Sequence, residues 1–169
     1  MPNWCFNRVT FSGTSGDIEN LTAQLESDTS KFDFNNVVPM PEELRGIGSP
    51  VTAFKTKAEV EAYNAKQPMA GFHLGRAITH ARHQALLKKY GHAEWYNWSI
   101  ENWGCKWNNG DDVQMDNFDN EHGYVQYGFE TPWGPPQEIY EALRLMYPKV
   151  NISWFYDEPG MQFSGYLPN

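Results

Sequence analysis

The chain has 169 residues, with 13 Lys and Arg against 21 Asp and Glu for a net charge of −8, and it is rich in rings: seven Trp, nine Tyr and ten Phe. That length suits one domain and buries enough surface to hold a core without disulfides or a structural metal. The acidity argues against nucleic-acid binders, which draw most of their affinity from phosphate neutralisation, and against docking on anionic membranes. The two cysteines, Cys5 and Cys105, form neither a disulfide framework nor a zinc-type pair. No basic-then-apolar leader opens the sequence, and no apolar run reaches the roughly 20 residues of a membrane helix. A cytoplasmic protein is expected.

Residues 3–12 alternate, with Trp4, Phe6, Arg8 and Thr10 on one face and Cys5, Asn7, Val9 and Phe11 on the other, which predicts a strand. A turn at 13–16 leads into a helix near 17–27, capped by Ser15 or Asp17, in which Ile18, Leu21 and Leu25 recur at helical spacing. Phe32 to Val38 reads as a second strand stopped by Pro39-Met40-Pro41. Residues 41–110 break the rhythm and read as a mainly helical, Trp-rich insertion. Its helices are expected at Lys57–Ala65 and at Gly75–Tyr90 (ended by Gly91), and the stretch from Trp95, if helical, ends at Gly104. Val113–Phe118 and Tyr124–Thr131 suggest a hairpin around residues 120–123. A helix near 135–147 stops before Pro148, and strands at 150–157 and 161–167 finish the chain. The pattern predicts one α+β domain over 1–169, a ferredoxin-like (split β-α-β) antiparallel sheet with an extra C-terminal strand. Residues 41–110 would sit between its two halves.

Several segments resemble the YubB-like family of bacterial plasmid and phage proteins: Met1-Pro2-Asn3-Trp4-Cys5 with Asn7 and Gly13, residues 38–44, the stretch from Trp95 to Trp107, Thr131-Pro132-Trp133-Gly134-Pro135-Pro136, and Tyr156-Asp157-Glu158-Pro159-Gly160 with Phe163 and Gly165. The likeness is most specific at Asn102-Trp103-Gly104 with Lys106-Trp107. It implies a ferredoxin-like domain carried by a mobile element, and it implies no catalytic residues.

His73, His80 and His83 would share one side of a helix, but Arg76 falls in the same arc and no HExxH glutamate accompanies them, so a solvated face is the plainer reading. The acidic run Asp111, Asp112, Asp116, Asp119 and Glu121 lacks the alternate-ligand spacing of a calcium loop and suits a polar hairpin. Lys106 beside Cys105 would lower a thiol pKa, although a packed thiol is the commoner state. No nucleophile elbow, phosphate loop or dinucleotide fingerprint is present, so neither catalytic residues, a metal nor a cofactor is expected.

The residues singled out for binding are Trp95, Trp98, Glu101, Asn102, Trp103 and Trp107. They either line a ligand pocket or pack the insertion onto the sheet. Three functions follow: a non-enzymatic module that binds an unidentified protein partner; a small-molecule protein or enzyme with a pocket around Trp98, Glu101 and Trp107; and an RNA-recognition-like binder stacking bases on Trp4, Phe6, Tyr127 and Phe129, disfavoured by the charge.

Overall fold

The computed structural model describes residues 3–66, 75–109, 113–119 and 121–168. The chain forms two compact units, Met1–Pro39 with Ile100–Asn169, and Met40–Ser99.

The first unit is built on a five-stranded antiparallel sheet. Strand β1 (Trp4–Ser12) leads through helix α1 (Ser15–Leu25), where Thr14 is the cap and accepts from the Asp17 backbone N–H. The second unit contributes β2 (Ala53–Phe54), α2 (Lys57–Asn64), β3 (Ile78–Thr79) and α3 (His80–Tyr90), and α4 (Trp95–Trp103) carries the chain back. Then come β4 (Gln114–Asp119), β5 (Tyr124–Pro132), α5 (Gln137–Met146), β6 (Asn151–Glu158) and β7 (Phe163–Tyr166). The order β4-β5-β1-β6-β7 is ferredoxin-like, with β7 added at one edge.

One strand of the expected sheet is corrected. Residues 32–38 contain a short 3-10 turn, Phe34–Asn36, and the second strand of the fold is β4. The long excursion therefore separates α1 from β4, inside the first β-α-β unit and not between the two halves. The reason is non-local. Phe32 and Phe34 are fully buried, and the Phe32 ring lies 6.3 Å from Phe11, 5.5 Å from Tyr127, 5.2 Å from Phe129 and 6.0 Å from Trp154. A segment that plugs the core with two rings shows the same spaced aromatics as a strand. The turn is fastened by Asp33, which accepts from Asn35 N at 2.8 Å and Asn108 Nδ2 at 2.7 Å.

The helix-facing side of the sheet buries Cys5, Asn7, Val9 and Phe11 of β1, Val125, Tyr127 and Phe129 of β5, and Ile152 and Trp154 of β6. Ile18, Leu21 and Leu25 of α1 and Ile139, Tyr140 and Leu143 of α5 are buried with them. Across this core Asn7 Nδ2 donates to Thr131 Oγ1 at 2.7 Å, and the Trp154 indole N–H donates to Asn7 Oδ1 at 3.0 Å.

In the second unit, β2 and β3 pair in parallel, and Asn64 closes α2 onto Ala77 through both of its amide atoms. The helix expected from Gly75 begins only at His80, because Thr79 accepts from Arg82 N and so caps it. Gly75 lies at φ +69 against the Gly48 backbone, and its added Cβ would stand 2.2 Å from Gly48 Cα. No described helix is long and apolar enough to cross a membrane.

Candidate functional site

The six side chains proposed from sequence lie along α4 and the segment just after it. Trp98 and Trp103 are buried, Trp95 is half-buried with its ring 5.7 Å from Tyr96, Glu101 is exposed and Asn102 is half-buried. Trp95 and Trp98 belong to the second unit and residues 101–107 to the first. The Trp103 indole N–H donates to Val38 O at 2.8 Å and its ring stands 6.0 Å from Phe34, so it secures the aromatic plug. Trp107 alone takes part in the exposed aromatic surface described below.

Of the other candidates, the described ones sit on α3, around β4 and at the two cysteines. His80 and His83 lie on α3, Arg76 precedes that helix, and His73 lies outside the described residues. Among the described residues no three His, Cys, Asp or Glu side chains gather in a way that could hold a metal ion. Asp111 and Asp112 also fall outside them. Asp116 is exposed on β4, and Asp119 accepts from the His122 backbone at 3.0 Å and approaches its Nδ1 at 2.9 Å. Burial pushes the Cys5 thiol up to about 12 and drives Cys105 higher still. Burial outweighs every other influence on the Cys105 sulfur, and the neighbouring Lys106 ammonium stands 4.4 Å from the Trp107 ring centroid.

The sheet face opposite the helices joins Trp4 and Phe6, which the sequence had offered as stacking rings, to Phe155 and Tyr166, which it had not. Strand alternation turns Trp4, Phe6, Arg8 and Thr10 outward, and the register sets Arg8 between Gly128 of β5 and Phe155 of β6. Phe155 pairs with Tyr166 of β7, with ring centroids 5.3 Å apart. Trp4 is 41% exposed, Phe6 38% and Tyr166 67%. Tyr127 and Phe129, expected here, are buried on the helix-facing side, because Thr10 pairs with Gln126, Arg8 with Gly128 and Phe6 with Glu130.

At the Trp4 end the surface thickens. The Trp4 and Trp107 rings are 6.3 Å apart, and the Lys106 ammonium lies between Trp107 and Trp133, 5.3 Å from the latter. Trp133 is 38% exposed and adopts φ +67, the left-handed region that costs a bulky side chain roughly 1–3 kcal/mol. Its neighbours hold it there. The Trp133 N–H donates to Asn3 O at 2.8 Å, and Thr131 Oγ1 donates to Gly134 O at 2.7 Å. The signal in the sequence was Trp133 itself, a large side chain set between Pro132 and Gly134-Pro135.

Residues 102–168 match the family model described as the ferredoxin-like domain in Api92-like protein. The whole fold is similar to the crystal structure of a protein api92 from Yersinia pseudotuberculosis, with a TM-score of 0.53 at 10% identity over 98% of this chain and 93% of that one. No curated protein matches the sequence.

Proposed function

We propose that this chain is a non-enzymatic protein-interaction module whose contact surface is the open face of the sheet and the adjoining Trp4–Trp107–Lys106–Trp133 cluster. The observation that carries the reading is Trp133, held exposed at an unfavourable backbone angle by hydrogen bonds on either side of it. Strain kept at a ring that fills no core makes sense when the ring is needed for contact. Contiguous exposed aromatics with Arg and Lys among them are the composition of interface hot spots.

Charge decides against the closest rival. Stacking rings on a ferredoxin-like sheet also serve single-stranded nucleic acid. Here residues 1–39 with 100–169 hold five of the 13 Lys and Arg but 16 of the 21 Asp and Glu, a net of −11. Glu130 and Asp157 flank Phe6 on the same face. A phosphate chain crossing it would meet those carboxylates.

The setting we infer is the cytoplasm of a bacterium carrying a plasmid or phage. Two buried free thiols suit a reducing compartment. The mobile-element origin rests on the likeness of residues 1–13, 95–107 and 131–136 to YubB-like proteins.

A photo-crosslinking amino acid placed at position 133 is expected to trap one dominant host or element protein, and the same probe at exposed Lys57 on α2 is expected not to. Equal, diffuse crosslinking from both positions would sink the proposal. So would submicromolar binding of a single-stranded oligonucleotide at moderate salt.

A further inference from the structure

Beside the aromatic cluster, the open face contains a groove of about 180 Å³ lined by Arg8, Thr10, Ser153, Phe155 and Tyr166. Drug-sized ligands occupy roughly 300–1,000 Å³, so this volume has room for about one side chain. Arg8 rises from the central strand. Its partner across β5 is Gly128, which has no side chain of its own although Asp116 Oδ2 lies 3.9 Å from where its Cβ would stand, and on the other side is Phe155. The next row pairs Thr10 with Ser153 and supplies two hydroxyls. Arg8 forms no ion pair with a described residue, and its Cζ stands 5.8 Å from the Phe6 ring centroid.

We propose that this groove receives an acidic side chain of the partner protein, next to an apolar or aromatic residue of the same segment. The idea rests on the interaction reading above and names the chemistry of what docks. The Arg8 fork takes the carboxylate, Phe155 and Tyr166 take the neighbouring ring, and Thr10 and Ser153 serve the segment's backbone amides. Charge complementarity chooses this occupant. Arg8 and Lys106 are two of only five cations in a unit of net charge −11, and both stand over rings on the exposed side. A single carboxylate satisfies one guanidinium, and bidentate pairing rewards its planar geometry. A polyphosphate backbone would run further charges past Asp157 and Glu130.

The test uses the full isotope-labelled chain and N-acetyl-Phe-Glu-amide as the probe, followed by NMR at the Arg8 Nε–H and the Tyr166 amide. A saturable shift at both is expected. N-acetyl-Phe-Gln-amide should bind roughly threefold to tenfold more weakly, and R8Q should erase that preference. Should R8Q fold poorly, Tyr166→Ser is expected to weaken both peptides while keeping the acid preference. Equal binding of the acid and the amide overturns the proposal, as do shifts centred on α3 or tighter binding of adenosine monophosphate than of the dipeptide. The dipeptide is read without any partner, so its failure leaves the crosslinking result standing. Diffuse crosslinking with an intact acid preference would sink the interface reading alone.

Discussion

Asn7 joins three strands from inside the core. Its amide donates to the Cys5 carbonyl at 3.0 Å and to Thr131 Oγ1 at 2.7 Å, and its carbonyl oxygen accepts from Trp154. Replacing it with leucine strands an indole N–H and a carbonyl where water does not reach. Asn7→Leu is expected to cost about 2–4 kcal/mol in chemical denaturation, and a loss under 1 kcal/mol would show the network to be dispensable. Two carboxyls give opposite pH signatures. Burial works to raise Asp33, but hydrogen bonds from Asn108, the Asn35 backbone and other neighbours outweigh it and hold it below 3.8. Its contribution is therefore complete above that value and fades as pH falls through the folded one. Asp33→Asn should lose stability at pH 7 and show a shallower acid limb. Glu138 is the reverse. Burial first, and Glu141 to a lesser degree, raise it above 4.5 against the pull of its own backbone N–H, and its Oε2 has no hydrogen-bond partner. The folded state favours the protonated acid, so the stability Glu138 supports is complete below 4.5 and declines as pH rises through the folded value. Glu138→Gln is expected to be at least as stable as the parent at pH 7 and to lose that advantage near pH 4. Thermal scans at both pH values decide each case.

At the scale of elements, α4 ends where it does because Gly104 adopts φ +80 and leaves no room for a side chain. An added Cβ would lie 2.1 Å from Glu138 Oε2 and 2.8 Å from Gln137 N. That close approach turns the chain just after Trp103, whose ring then reaches Phe34. Trp103→Ala should cost roughly 3–5 kcal/mol, as truncation of a buried ring does, while Glu101→Gln on the exposed side should stay within about 0.5 kcal/mol. Equal effects from the two would contradict the burial pattern of the helix. The 131–136 segment makes the complementary case. Trp133→Gly removes the ring and the left-handed penalty together, whereas Trp133→Ala removes only the ring. The glycine variant is expected to melt at or above the parent temperature and the alanine variant below the glycine one, with crosslinking lost in both. A glycine variant clearly less stable than alanine would mean that the ring supports the fold.

Over the whole molecule, the two units differ in charge and in depth of burial. Residues 40–99 hold eight Lys and Arg against five Asp and Glu, a net of +3, where the sheet unit stands at −11. The overall −8 is thus a sum of opposite signs. Helix α2 buries no residue and α3 only Leu86, whereas every second residue of β1 from Cys5 to Phe11 is buried. Local opening follows buried contact. Hydrogen exchange of the intact chain should therefore show α2 amides exchanging far faster than those of β1 and β5. Matching protection across these elements would argue that the second unit opens only with the sheet.

The period of the longer strands and helices was legible in the sequence, whereas the short β2 and β3 and the turn at 34–36 were not. Alternation assigned the two faces of β1 correctly, and Gly91, Gly104 and the proline at 148 marked where α3, α4 and α5 stop. These features depend on neighbours a few residues away, which a linear reading contains. The ferredoxin-like class was read from the alternation of strands and helices, but with residues 32–38 standing in for the true second strand, β4. Tertiary structure decided the rest. Whether Phe32 and Phe34 pair in a ladder or fill a core depends on Phe11, Tyr127, Phe129 and Trp154, each at least 20 residues distant. Which face of the sheet stays open depends on where α1 and α5 land, so Tyr127 and Phe129 went inside while Arg8, Phe155 and Tyr166 came together outside. Four of the seven tryptophans are concentrated between 95 and 107. The fold buried Trp98 and Trp103 and left Trp107 beside Trp4 and Trp133, because exposure is set by packing across the chain and not by the local density of rings.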